Sequence, residues 1–213
     1  MSEYRRPAIP LAIFRDEVGA AIQYGSRWGN ESPPEERYSR TSNLERFLPL
    51  HSVARSLSEW LEATFEVSVE HDAAVASDLL RSPSDIVGAI RITPHDASSA
   101  PLTLILTSFP GIYLHAGALH DFQFPVCGCD ACDDDVLGLA DELEWTVRTV
   151  VAGGYSERFE PWPSRWISSK LDEPGAGMRG TRSRVQDFPA ERVRAARSLI
   201  PASGQWTAWP EKT

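Results

Sequence analysis

The chain has 213 residues, 42% hydrophobic and 24% charged, with a net charge of −9. Those are proportions of an ordinary globular fold. No apolar run approaches the ~18–20 residues of a bilayer-crossing helix. Arg5 and Arg6 are not followed by the apolar stretch of a secretory leader. This excludes a membrane protein, a secreted disulfide scaffold, a fibrous repeat and a mostly disordered chain, and we expect a cytoplasmic protein.

Asn30–Asn43 is polar, contains Pro33-Pro34, and reads as an ordered loop or surface arm. Leu50, Val53, Ala54, Leu57, Trp60 and Leu61 recur at helical spacing and predict a helix over Pro49–Thr64. Phe65–Val69 switches to period two and predicts a short strand. Val87–Thr93 and Leu102–Ser108 follow as strands, the second so apolar that we place it centrally. After the Pro110-Gly111 turn, Ile112–Leu119 alternates apolar and polar, so an antiparallel meander is the economical arrangement. Asp133, Asp134 and Asp135 supply a cap and negative charge for a helix whose buried stripe runs from Val136 to Val151, ended by Gly153-Gly154. Arg165–Leu171 and Met178–Val185 can pair across Glu173–Gly177, and Pro189–Ile200 reads as a helix. The fold class is therefore α+β, an antiparallel sheet of about four to six strands with helices packed on it and a cysteine-rich turn. We expect a single domain over residues 1–213, with residues 156–213 a basic C-terminal extension packed on the core.

Charge is unevenly placed. Residues 1–147 carry 10 basic and 23 acidic side chains, whereas residues 148–213 carry 11 and 7. We expect the basic segment to neutralise the acidic body. Nucleic acid is not an expected partner, because its binding rests on neutralising phosphates with Lys and Arg.

The residues that carry chemistry are Cys127, Cys129 and Cys132, a C-x-C-x2-C run. Cysteines this close cannot staple distant parts of a fold, and in a chain without a leader they read first as metal-binding or redox-active. Zinc prefers thiolate and imidazole in a tetrahedron, and C-x2-C wraps one ion within a tight turn. Gly128 gives the backbone freedom to aim Cys127 at the same centre. For the fourth ligand His120 ranks first, as the nearest histidine, ahead of His115 and His51, with Asp130 and Asp133 lower. His120-Asp121 would then be a ligand oriented by a carboxylate. Four aspartates (Asp130, Asp133, Asp134, Asp135) lie within three residues of Cys132, while no Lys or Arg follows before Arg148. Those carboxylates disfavour thiolates unless a cation is present, which favours a divalent metal over a nucleophilic cysteine.

Seven tryptophans are present. Trp60 and Trp145 fall on helical faces and read as core. Trp28, Trp162, Trp166, Trp206 and Trp209 lie in turn-rich segments, where they pack loops or line a groove; Tyr24–Gly29 is the segment singled out for a groove.

The run Tyr24-Gly25 with Arg27-Trp28-Gly29, then Pro33-Pro34-Glu35, Tyr38-Ser39, Glu45-Arg46-Phe47, Pro49-Leu50-His51, Pro101-Leu102-Thr103, Pro110-Gly111, Leu119-His120-Asp121-Phe122 and Pro125 with the cysteine run resembles a mainly actinobacterial family, DUF6226. The resemblance covers residues 20–155, and the cysteine run is its most specific part. It implies a shared domain and brings no reaction, substrate or partner. The reading of the residues is a binding or regulatory module for a protein or small ligand, with a structural zinc ion on Cys127, Cys129, Cys132 and His120. The alternatives are a zinc-dependent hydrolase using the same site and a thiol oxidoreductase using Cys129 and Cys132.

Overall fold

A computed structural model describes residues 3–213. Five strands, β1 (Val67–Glu70), β2 (Ile86–Pro94), β3 (Leu102–Thr107), β4 (Ile112–Ala116) and β5 (His120–Phe124), form an antiparallel sheet in chain order. A second antiparallel sheet holds β6 (Tyr155–Phe159), β7 (Trp166–Glu173) and β8 (Gly177–Arg184). Three α-helices accompany them: α1 (Pro49–Thr64), α2 (Val136–Val151) and the short α3 (Ala190–Leu199). No helix among the described residues is long and apolar enough to cross a membrane.

The local causes are legible. Pro49 opens α1, where its fixed φ suits the helix and its missing N–H would have had no partner. Asp135 caps α2, its carboxylate accepting the Gly138 N–H at 2.8 Å. Leu50, Val53, Ala54, Leu57 and Leu61 of α1 and Leu139, Ala140, Leu143, Val147 and Val150 of α2 share one core with Leu102, Leu104 and Leu106 of β3. All six residues of β3 are buried, as befits a middle strand covered on both faces.

The opposite face of the sheet is covered by a 3-10 turn over Ala73–Asp78, whose Val75 and Ala76 pack with Ala89 and Ile105. A polar row, Arg91, Thr103, His115 and Asp121, crosses this face at paired positions of β2 to β5. Asp78 accepts from Arg91 through both oxygens at 2.7 Å and from Thr103 at 2.7 Å. Asp121 pairs with His115 Nδ1 at 2.6 Å and accepts the Leu80 N–H at 2.8 Å. The row thus fastens the turn to the sheet.

Several boundaries and elements differ from the periodicity reading. β4 stops at Ala116 because Gly117 turns the chain with φ of +68°. The turn that follows is held by Glu157 of β6, a buried carboxylate that accepts the Ala118 and Leu119 N–H groups, each at 2.8 Å, and Trp206 Nε1 at 3.2 Å. β5 and β6 are additions to that reading, whereas β7 and β8 are the hairpin expected across Glu173–Gly177, which β6 extends into a separate sheet. The C-terminal tail laces onto the body. Trp206 and Trp209 are buried, Trp209 Nε1 donates to the Ala100 carbonyl at 2.9 Å, and Lys212 N–H to Thr64 at 2.9 Å. Trp162, by contrast, is 92% exposed. Among the described ion pairs, Arg179 with Glu142 alone joins the basic segment to the acidic body, and the body's other arginine-paired carboxylates are met by its own arginines.

Candidate metal centre

The loop between β5 and α2 gathers the three cysteines. Their Sγ atoms all lie within 4.8 Å of one another, and Cys129 Sγ is 3.5 Å from Cys132 Sγ. A tetrahedral zinc with sulfur at about 2.3 Å sets its sulfurs about 3.8 Å apart, so the three present fit one ion. Cys129 is buried and Cys132 reaches the surface. Gly128 contributes by size and not by an unusual backbone conformation. A Cβ there would overlap the Phe109 ring and crowd Leu44, so only glycine lets the loop seat against them.

The thiols are unequal. Burial opposes ionisation of Cys129, but hydrogen bonding from the Cys127 thiol and from the Cys132 backbone and thiol outweighs it and holds the group below its ordinary value. Partial burial of its sulfur and the two neighbouring thiols push Cys132 up to about 12. Left to protons, the cluster ionises one thiol at the expense of another. A divalent cation is what would let all three carry charge together.

His120 is not brought to this cluster. It stands at the far end of β5, its Nδ1 facing the Ser169 and Thr181 hydroxyls at 3.3 and 3.4 Å and its ring packed on Phe122. Burial, only partly offset by Asp121 and reinforced by His115 and Arg179, lowers its pKa to about 4. Strand alternation also separates the His120-Asp121 dipeptide, since neighbours on a strand point to opposite faces. Asp121 therefore orients His115 and not His120. His115 is engaged in the polar row, and His51 is buried on α1, where burial lowers its pKa. Among the described residues, no His, Asp or Glu joins the three cysteines at ligand spacing.

Asp130 and Asp133, ranked as lesser ligands, have a different use. They anchor the N-terminal arm. Asp130, 1% exposed, accepts the Ser42 N–H and hydroxyl, each at 2.9 Å, while its own N–H donates to Arg40 at 2.8 Å. Its carbonyl takes the Trp28 indole N–H at 3.3 Å, and the Arg37 guanidinium stands 3.8 Å from its carboxylate. Asp133 adopts a left-handed φ of +55°, tolerable for aspartate, and its carbonyl and carboxylate take the Gly25 and Arg27 N–H groups, each at 2.7 Å. Gly25 itself needs φ of +86°, and a Cβ there would press on Asp135. Arg46, buried between the Tyr24 and Phe47 rings at 4.2 and 4.0 Å, donates to the Asp134 carbonyl at 3.4 Å.

Along the sequence the aspartates have no close cation, yet in space Arg27, Arg37 and Arg46 of the arm surround them. The acidic loop is thus neutralised in part by arginine, and the fit of the three sulfurs becomes the stronger ground for a metal. The arginines were missed because they lie far off in sequence, Arg27 106 residues from Asp133. The signal that could have found them is the Tyr24–Gly29 segment already singled out.

Residues 10–213 match the family described as "Family of unknown function (DUF6226)". The chain belongs to DUF6226. The match reaches the C-terminus, so the second sheet and the buried tryptophans of the tail belong to the DUF6226 region together with the cysteine loop. No curated protein and no solved structure matches the chain.

Proposed function

We propose that Cys127, Cys129 and Cys132 hold one structural zinc ion, and that the loop it fixes is the seat of the N-terminal arm in a cytoplasmic binding or regulatory module. The observation that carries this reading is the convergence of three Sγ atoms within 4.8 Å. The arm supports it, because every contact it makes with Asp130 and Asp133 is set within two residues of a cysteine. Elemental analysis of protein purified without a metal-affinity tag, with a thiol count on the same sample, tests it. The expected result is near one zinc per chain, with thiols released only on chelation or denaturation. A metal-free sample with three freely reacting thiols would contradict it.

One observation favours a second reading, a zinc-dependent hydrolase. With no fourth His, Cys, Asp or Glu at ligand spacing among the described residues, a coordination position would be left for water, and Cys132 lines a cavity of about 390 Å³ shared with Asp134, Asp135 and Glu142. Burial, opposed by Arg46, holds the Asp134 carboxyl beside this cavity above its usual range. A hydrolase would lose turnover in Asp134→Asn while keeping its metal; a structural site gives no turnover to lose.

A further inference from the structure

The arm and Asp130 of the cysteine loop line an open cavity of about 690 Å³, a size typical of small-molecule sites. Four arginines line it: Arg15, Arg27, Arg37 and Arg40. They are four of only ten basic side chains in residues 1–147, a region with 23 acidic ones. Against Asp16, Glu17 and Asp130 in the same lining they leave the wall a net charge of +1, and a concave patch of reversed sign in an acidic body draws anions to itself.

The carboxylates in the lining are already engaged. Asp16 accepts the Val18 and Ala20 N–H groups at 3.0 and 2.8 Å, Glu17 holds Arg40 at 3.0 Å, and Asp130 is taken up by Ser42. The guanidiniums are less satisfied. Arg15 donates to the Gly19 carbonyl and has no carboxylate partner among the described residues. Arg37 has only the 3.8 Å approach to Asp130. Arg27 Nε stands 3.4 Å from Asp133 Oδ1, so this guanidinium is paired with the cysteine loop while lining the cavity. Trp28, Ile22 and Val18 give the same cavity an apolar side.

We propose that this cavity binds a phosphate monoester. The phosphate supplies a near-dianionic group with three acceptor oxygens for the guanidinium forks, and Trp28 and Ile22 take the organic part. The inference deepens the binding-module reading and rests on it, because Asp130, between Cys129 and Ala131, forms part of the cavity wall.

Calorimetric titration of the full chain, as purified without a metal-affinity tag, with inorganic phosphate, adenosine 5′-monophosphate and uncharged adenosine tests the proposal. Both phosphate probes are expected to bind saturably, the monoester more tightly, and adenosine not at all. Arg15→Gln and Arg40→Gln, on exposed residues that do not touch the cysteines, should each weaken binding about tenfold or more, the worth of a charge-assisted hydrogen bond. No saturable binding of either phosphate probe, or equal affinity in both variants, overturns it. Metal content of the same sample separates the two readings. One metal per chain without phosphate binding sinks this inference alone, whereas phosphate binding by a metal-free chain sinks the structural-zinc reading alone.

Discussion

The five-stranded sheet with its two long helices and the cysteine loop with its N-terminal arm are held by different forces. The first is an apolar core in which Leu102, Leu104 and Leu114 are fully buried, stacked under α1 and α2. The second has few buried apolar side chains, and rests on carboxylates taking backbone N–H groups, stacked arginines and three thiols. Burial of apolar area is non-directional and spread over many residues, whereas polar latches are local and fail one at a time. The core should therefore stand without the loop, and the arm should not.

Substitutions can break that comparison at either end. The largest loss is expected in the core. Leu104→Ala in β3 should cost about 2–5 kcal/mol in denaturant unfolding and leave metal stoichiometry unchanged. Next is a titration. His120 has a folded pKa of about 4, below its ordinary value, so its contribution is present above about pH 6.5 and is lost as pH falls toward 4. That loss amounts to about 3 kcal/mol. His120→Gln should flatten this part of the stability–pH curve while metal content stays at the wild-type level. Metal lost with this variant would restore His120 as a ligand. Smaller is Asp130→Ala, which strands the Ser42 N–H and should cost about 1–3 kcal/mol. Its mark is local: faster proteolysis within residues 24–46, with the core amides still protected.

Much of the core was legible in the sequence, and little of the arm. The helix over Pro49–Thr64 shows its start in Pro49 and its buried face in the spacing of Leu50, Val53, Leu57 and Leu61. The apolar run of β3 announced a covered strand, and the meander followed from short turns between neighbours. β5 escaped notice because His120-Asp121 drew a chemical reading, although its alternation of Phe122 and Phe124 is a strand signal. β6 carries a buried Glu157 where an apolar residue would be looked for, and its partners, Ala118 and Leu119, are nearly forty residues away. The cysteines declared themselves by spacing. Their surroundings did not, because contacts such as Trp28 with Asp130 span 102 residues and leave no periodic trace.

The measurement that bears most directly on this account is hydrogen exchange on the metal-loaded chain and on the same chain after chelation. The account predicts that protection falls in residues 24–46 and 127–135 on metal removal, while amides of β2, β3, β4 and the middle of α1 and α2 keep theirs. Identical protection in both states, or loss spread evenly through the sheet, would contradict it.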